Sequence, residues 1–267
     1  MAVESAAVAS GLLEELMDLA WPAPEHEELN GWVMRSAGGV TQRANSVWPR
    51  GVADDPAAAL NAAAMWYRLR RQPLIFQLFD DPRYAELNAL LDARRFTRQS
   101  ETLLMTRSAA ELPAGQGGGV EITGSPSEEW LRLWWSVDGR GGAAELEIAR
   151  RILSGCPSLY AMVRDDDDAP AAVGRLALPA GIGVKGTARW GGLYCMATSA
   201  EHRRRGFARR VLAALLTAGA GEGVQDFWLM VTAGNLGAQA LYAGAGFEEQ
   251  GRYLYRQAPL QRALSGC

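Results

Sequence analysis

The run Thr198-Ser-Ala-Glu-His-Arg-Arg-Arg-Gly-Phe-Ala-Arg-Arg210 sets the tightest limit on what this chain can fold into. It comes after an apolar segment, Leu193–Ala197, that reads as a strand, and leads into Val211–Leu216, which reads as a helix. Arg203, Arg204, Arg205, Arg209 and Arg210 therefore collect at a helix start. The sign of charge is unfavourable there, because a helix N-terminus carries about half a positive charge and unpaired N–H groups, and so favours acids. Two readings resolve the conflict. Either the arginines form a solvated basic face, or an anion binds, with Gly206 letting the backbone approach it and Ala208 keeping the approach open.

The downstream residues favour the anion. A strand, Asp226–Val231, precedes Asn235, a short helix from about Leu236 to Ala243, the turn Gly244-Ala-Gly-Phe247 and a last strand, Arg252–Arg256. Arg203-x-x-Gly206-x-Ala208, set between strand and helix, resembles the acetyl-CoA pyrophosphate loop of the GCN5-related N-acetyltransferases. Asn235-x-x-Ala238…Leu241-Tyr242…Gly246-Phe247 resembles that family's second signature. The two motifs, in family order and spacing, cover about Leu193 to Arg256, and the resemblance extends back to about Val120.

The resemblance implies an α/β fold with a mixed, mostly antiparallel twisted sheet flanked by helices, and acetyl transfer from acetyl-CoA to a primary amine by direct attack. It implies that the strand around Met196, Ala197 and Thr198 binds the pantetheine arm. Arg203, Arg204, Arg205, Gly206, Phe207, Ala208 and Arg209 would cradle the pyrophosphate, and Asn235 would touch the cofactor from the other side. Tyr242 stands seven residues after Asn235, nearly on the same helix face, and takes the role of general acid. A tyrosine with an ordinary pKa near 10 stays protonated at neutral pH and can supply the leaving thiolate's proton; the bland alternative is a core aromatic. A backbone N–H of the splayed strand is the expected oxyanion donor. No acid lies on Trp190–Thr198, so Glu145, Glu147 and Cys195 are the candidates for general base, though Cys195 reads more readily as a buried, inert thiol. A non-catalytic acyl-CoA-binding sensor or interaction module is the alternative function.

The first half shows the same order of elements. A helix from residue 5 to 20 ends at Trp21-Pro-Ala-Pro24, and strands are expected over Gly31–Arg35 and Val40–Trp48. Asp54-Asp-Pro56 opens a helix to about Arg71, Leu74–Phe79 is a strand, Pro82 opens a helix to about Arg94, and Glu101–Thr106 is a strand. Gln42–Trp48 thus matches Leu193–Thr198, and Ala57–Arg71 matches Phe207–Ala220; the next strand and helix match in turn. Two copies of one fold are expected: a truncated copy without a cofactor site over 1–112, a Gly/Pro-rich linker at 113–119, and a catalytic copy over 120–267, with the acceptor chosen in a groove between them. Asp54, Asp55 and Pro56 satisfy or repel at the place where the second copy has its arginines, and Leu91 stands where Tyr242 would be. In the second half, Val120–Thr123, Leu159–Val163 and Ala171–Ala177 read as strands. Ser127 caps a helix, Gly142 starts another, and Asp165–Asp168 reads as a solvated hairpin tip.

At 267 residues the chain can bury one large core or two small ones, and 48% hydrophobic with 21% charged residues is ordinary for a globular protein. A net charge of −3 gives no reason to expect nucleic acid as partner. Three cysteines, far apart, suit reduced thiols in a cytoplasm, and two histidines make a histidine-rich metal site impossible. No run reaches the roughly 20 apolar residues of a membrane span, and no signal peptide is expected. The expected partner is an amine acceptor, small molecule or protein, and the expected assembly is a monomer or homodimer.

Overall fold

The computed structural model describes residues 2–112, 118–179 and 189–259. They gather into two compact units, one holding the described residues of 2–22 and 103–250, the other those of 23–102 and 251–259. This division does not follow the boundary expected at 113–119, of which residues 113–117 lie outside the described residues. The reason lies at the chain start and in two strands.

Helix α1 (Ala2–Ala20) belongs to the first unit because its end is tied there. Arg175, fully buried, donates to the Ala20 carbonyl at 2.9 Å and to Ser158 Oγ at 3.0 Å. Trp21 stacks on Tyr194 with ring centroids 5.5 Å apart.

In the second unit, β1 (Glu25–Leu29) and β2 (Trp32–Ser36) form a hairpin around Asn30-Gly31, both at positive φ. An Asn-Gly pair of this kind is the preferred two-residue hairpin turn. The strand Glu-His-Glu-Glu-Leu escaped the sequence reading because it is almost wholly polar and exposed. The strand expected over Val40–Trp48 is a correction: only Val47 and Trp48 make isolated bridges. Buried Asn45 takes over the hydrogen bonding of the segment. Its Oδ1 accepts from Ala37 N at 2.8 Å and Gly39 N at 2.9 Å, and its Nδ2 donates to the carbonyls of Val40 and Thr41 at 2.7 Å each. A side chain that satisfies four backbone groups leaves little for a ladder.

Helix α2 (Pro56–Leu69) starts as expected, with Asp55 Oδ1 accepting from Ala57 N and Ala58 N and Pro56 in the first turn. Next come β3 (Ile75–Phe79), α3 (Ala85–Ala93) and β4 (Thr97–Ser108). Beyond β4, the first unit runs β5 (Val120–Thr123), α4 (Glu128–Asp138), α5 (Ala143–Ser154), β6 (Ser158–Arg164), β7 (Pro170–Ala177), β8 (Trp190–Thr198), α6 (Phe207–Gly221), β9 (Asp226–Thr232) and α7 (Leu236–Ala243). The last element among the described residues is β10 (Glu248–Gln257).

Strand order in the first unit is β4-β9-β8-β7-β6-β5, with β5 through β8 antiparallel and β8-β9 parallel. This is a mixed α/β sheet flanked by helices. Its core joins Leu193 and Leu229 of the sheet to Val211, Leu212, Leu215 and Leu216 of α6, each such side chain contributing about 1.5–3 kcal/mol when fully buried. In the second unit the order is β3-β10-β4, and β10 pairs antiparallel with β3 from Tyr253↔Phe79 to Gln257↔Ile75. Thus β9 has as neighbour a strand from before residue 112, and β3 has one from the end of the chain.

A fragment of residues 120–267 would lack both β4 and α1. It is expected to be insoluble, or to melt well below the full chain, because the edge of β9 is left unpaired and Arg175 loses the Ala20 carbonyl. A soluble fragment with the full chain's melting temperature would show that β4 is dispensable.

Candidate active site

Strand β8 carries the distortion on which the site is built. It pairs in parallel with β9 from Trp190↔Asp226 to Leu193↔Leu229, and both strands then run on without further pairing to each other. At Gly192 the Trp228 ring of β9 lies over the glycine, and a Cβ there would come within 2.3 Å of it. On its other side, β8 pairs Tyr194 with Arg175 and Ala197 with Val173, so Cys195 and Met196 together face the single residue Gly174. This is a β-bulge, and Cys195 takes φ +55° to make it. Bulges leave the extra residue outside the ladder and bend the strand, which accounts for the parting of β8 from β9. Met196 fills the space over Gly174, where a Cβ would meet its sulfur at 2.5 Å. Ala197 is buried, while Cys195, Met196 and Thr198 are half-buried.

After β8 the chain makes one 3₁₀ turn at Ala200–His202 and enters α6 through two left-handed residues, Arg204 at φ +63° and Gly206 at φ +85°. Gly206 is the N-cap of α6 and offers no side chain to the helix's first N–H groups. No atom lies within 4 Å of the position a Cβ would take there, so the approach is open. Phe207 is buried and Ala208 half-buried, while Arg203, Arg204, Arg205 and Arg209 are exposed. The Arg205 and Arg210 guanidiniums lie 5.3 and 5.6 Å from the Phe207 ring centroid. An uncapped helix start with no acid in its first turn, lined by exposed arginines, fits an anion.

Asn235 is the N-cap of α7: its Oδ1 accepts from Ala238 N at 3.1 Å, and the side chain is exposed. Tyr242, two turns on, is 7% exposed and sets its ring edge-to-face with Phe247, centroids 6.2 Å apart. Burial pushes its phenol up to about 12. The ring therefore belongs to the core, and the hydroxyl stays protonated through neutral pH.

A cavity of about 450 Å³ lies between α6 and α7, with Leu212, Leu216 and Leu241 in its wall and Arg107 and Arg209 on its lining. Arg107, on β4, donates to the Ala245 carbonyl. Sequence reasoning missed it because it lies far upstream of both motifs, in the half expected to lack the site.

Two of the expected bases have other work. Glu145 Oε2 accepts from Gly142 N at 2.7 Å as the capping box of α5, which holds its carboxyl below the usual range. Glu147 lies 3.7 Å from Arg150. The acidic tip also needs a correction. Asp166, Asp167 and Asp168 are exposed, but the Asp165 side chain is 13% exposed, held 2.8 Å from His202 Nε2. Among the described residues no group of three or more His, Cys, Asp or Glu could hold a metal ion, and no helix is long and apolar enough to cross a membrane.

Solved structures share this architecture. A GCN5-related N-acetyltransferase from Kribbella flavida superposes with a TM-score of 0.64, covering 96% of each chain at 18% identity. A tandem GNAT protein from the clavulanic acid biosynthesis pathway superposes at 0.60, covering 93% of this chain and 88% of its own at 13% identity. The fold is that of the GCN5-related N-acetyltransferases. Residues 11–256 match the family described as probable histone acetyltransferase Rv0428c C-terminal, and the chain belongs to that family. YobR of Bacillus subtilis (strain 168), described as an uncharacterised N-acetyltransferase, is 25% identical over 252 residues, 91% of this chain and 96% of its own length.

Proposed function

We propose that this chain is an acetyl-CoA-dependent N-acetyltransferase that moves an acetyl group to a primary amine by direct attack. The observation that carries the reading is the bulge in β8 leading straight into the open, glycine-capped start of α6. Backbone groups of Met196–Thr198 would bind the pantetheine arm. The first N–H groups of α6, with Arg203, Arg204, Arg205 and Arg209, would hold the pyrophosphate. The cavity that begins at Arg209 suits the non-reacting end of the cofactor, with Leu212 and Leu216 as an apolar wall. Asn235 keeps its amide N–H₂ for the cofactor while its oxygen caps α7. A backbone N–H at the bulge donates to the oxyanion formed as the amine attacks, Tyr242 Oη supplies the proton taken up by the leaving thiolate, and the proton the amine nitrogen loses restores the phenol.

We also propose that the chain is two copies of one fold, about 1–112 and 120–267, that have exchanged their last strands. The neighbours of β3 and β9 support this: each has beside it the strand that ends the other half. In the first copy Asp55 already fills the N-terminus of α2, and Leu91, fully buried, stands where the second copy has Tyr242. The first copy therefore has neither an anion site nor a proton donor.

Two measurements test the activity and the inert first copy. Calorimetric titration with acetyl-CoA is expected to give one site per chain, and a panel of small and peptide amines is expected to release free thiol with at least one acceptor. Two sites per chain would refute the inert first copy. Tight binding without turnover on any amine would make the protein an acyl-CoA sensor.

A further inference from the structure

The residue before Arg203 is built into the fold in a way that neither motif explains. His202 is 5% exposed and bridges two segments. Its Nε2 lies 2.8 Å from Asp165 Oδ2, on the turn between β6 and β7, and its Nδ1 lies 2.5 Å from Ser199 Oγ, at the end of β8. Its ring meets Phe207, the first residue of α6, edge-on at 5.4 Å. Glu201 also lies near it, with an oxygen 3.6 Å from Nδ1. Asp165 is itself fixed, its Oδ1 accepting from Asp167 N at 3.0 Å and Ala169 N at 2.8 Å. The Ala169 amide first, and His202 second, hold its carboxyl below the usual range. Nε2–H donates to Asp165, and Nδ1 shares a hydrogen bond with Ser199 Oγ, which also bonds Glu201. Ser199 Oγ, at the buried end of β8, is turned toward His202 and Glu201. The arrangement is mechanical, not nucleophilic.

We infer that Asp165–His202–Ser199 is a brace that sets the anion loop in its binding shape before any ligand arrives, making His202 and Asp165 positioning residues for the cofactor. This rests on the loop's proposed role in holding the cofactor pyrophosphate. Between His202 and α6 the backbone must hold two left-handed residues, Arg204 and Gly206. Arg204 bears a conformational cost there that a glycine does not. The brace fixes the loop from below through the hairpin tip and from the side through Phe207. An anion site made of backbone N–H groups needs such fixing, since ordering a slack loop on binding would be subtracted from affinity.

The test compares His202→Phe, which keeps a ring against Phe207 and removes both hydrogen bonds, with the wild type and with Asp165→Asn. The asparagine keeps Oδ1 for the turn and can donate to Nε2 of the other imidazole tautomer. Two quantities are measured. Trypsin cleavage after Arg203, Arg204 and Arg205, all exposed, is monitored in the apo-protein by mass spectrometry, and acetyl-CoA affinity is measured by calorimetry alongside kcat. In His202→Phe, cleavage is expected to rise about tenfold and affinity to fall about tenfold, with kcat at saturating cofactor within about twofold; Asp165→Asn is expected to recover most of both. Should His202→Phe not fold, Ser199→Ala removes one end of the brace, with effects about half as large on a logarithmic scale. Wild-type cleavage and affinity in His202→Phe would overturn the inference, as would a loss confined to kcat. The cleavage measurement needs no cofactor, so failure of acetyl-CoA to bind the wild type would count against the proposed function and not against the brace.

Discussion

Tyr242→Phe is expected to lower turnover by about 10²–10⁴-fold, the usual range for loss of a general acid, with acetyl-CoA affinity nearly unchanged. The substitution keeps the ring against Phe247 and removes the proton. Steady-state kinetics with calorimetry on the same sample separates the two effects. The burial that raises the phenol to about 12 fixes a sign for pH as well. The folded value lies above the ordinary value near 10. The stability that Tyr242 contributes through this shift is therefore fully present below about pH 10 and is lost as pH rises toward 12. The wild type should show no loss of activity from Tyr242 ionisation between pH 7 and 9. Wild-type turnover in the variant would assign the residue to the core alone, a role its 7% exposure already gives its ring.

Gly206→Glu is expected to abolish measurable acetyl-CoA binding while leaving the fold in place. The new side chain meets open space, so there is no packing to break. The local cost is that of a left-handed non-glycine residue, about 1–2 kcal/mol. What changes is the sign of the site: a carboxylate at the N-cap of α6 sits where the pyrophosphate would, satisfies the first N–H groups and repels the anion. Circular dichroism checks the fold and calorimetry the affinity. Unchanged affinity in a folded variant would remove the loop from the cofactor site.

Much of this protein was legible in the residues alone, and the reason is locality. Helix starts and ends depend on neighbours a few residues away, which is why the caps at Asp55 and Ser127 and the span Leu236–Ala243 stand where the sequence places them. The loop proposed to hold the anion is equally local: six residues, Arg203 to Ala208, between one strand and one helix. Local signals also mislead when a distant or unexpected partner intervenes. Val40–Trp48 has the composition of a strand, but Asn45 ties its backbone into a loop. Glu25–Leu29 lacks that composition, but the Asn30-Gly31 turn folds it onto β2.

Tertiary structure alone decided three things. Which strand lies beside β9 depends on a pairing across more than 100 residues, and periodicity says only that a segment is a strand, never which edge it takes. The bulge at Cys195 is set by the register of β8 against β7, which no residue of β8 announces. And Asp165, in a run of four aspartates that reads as solvated, is bound to His202 only because the β6–β7 turn comes to lie under the loop 37 residues further on.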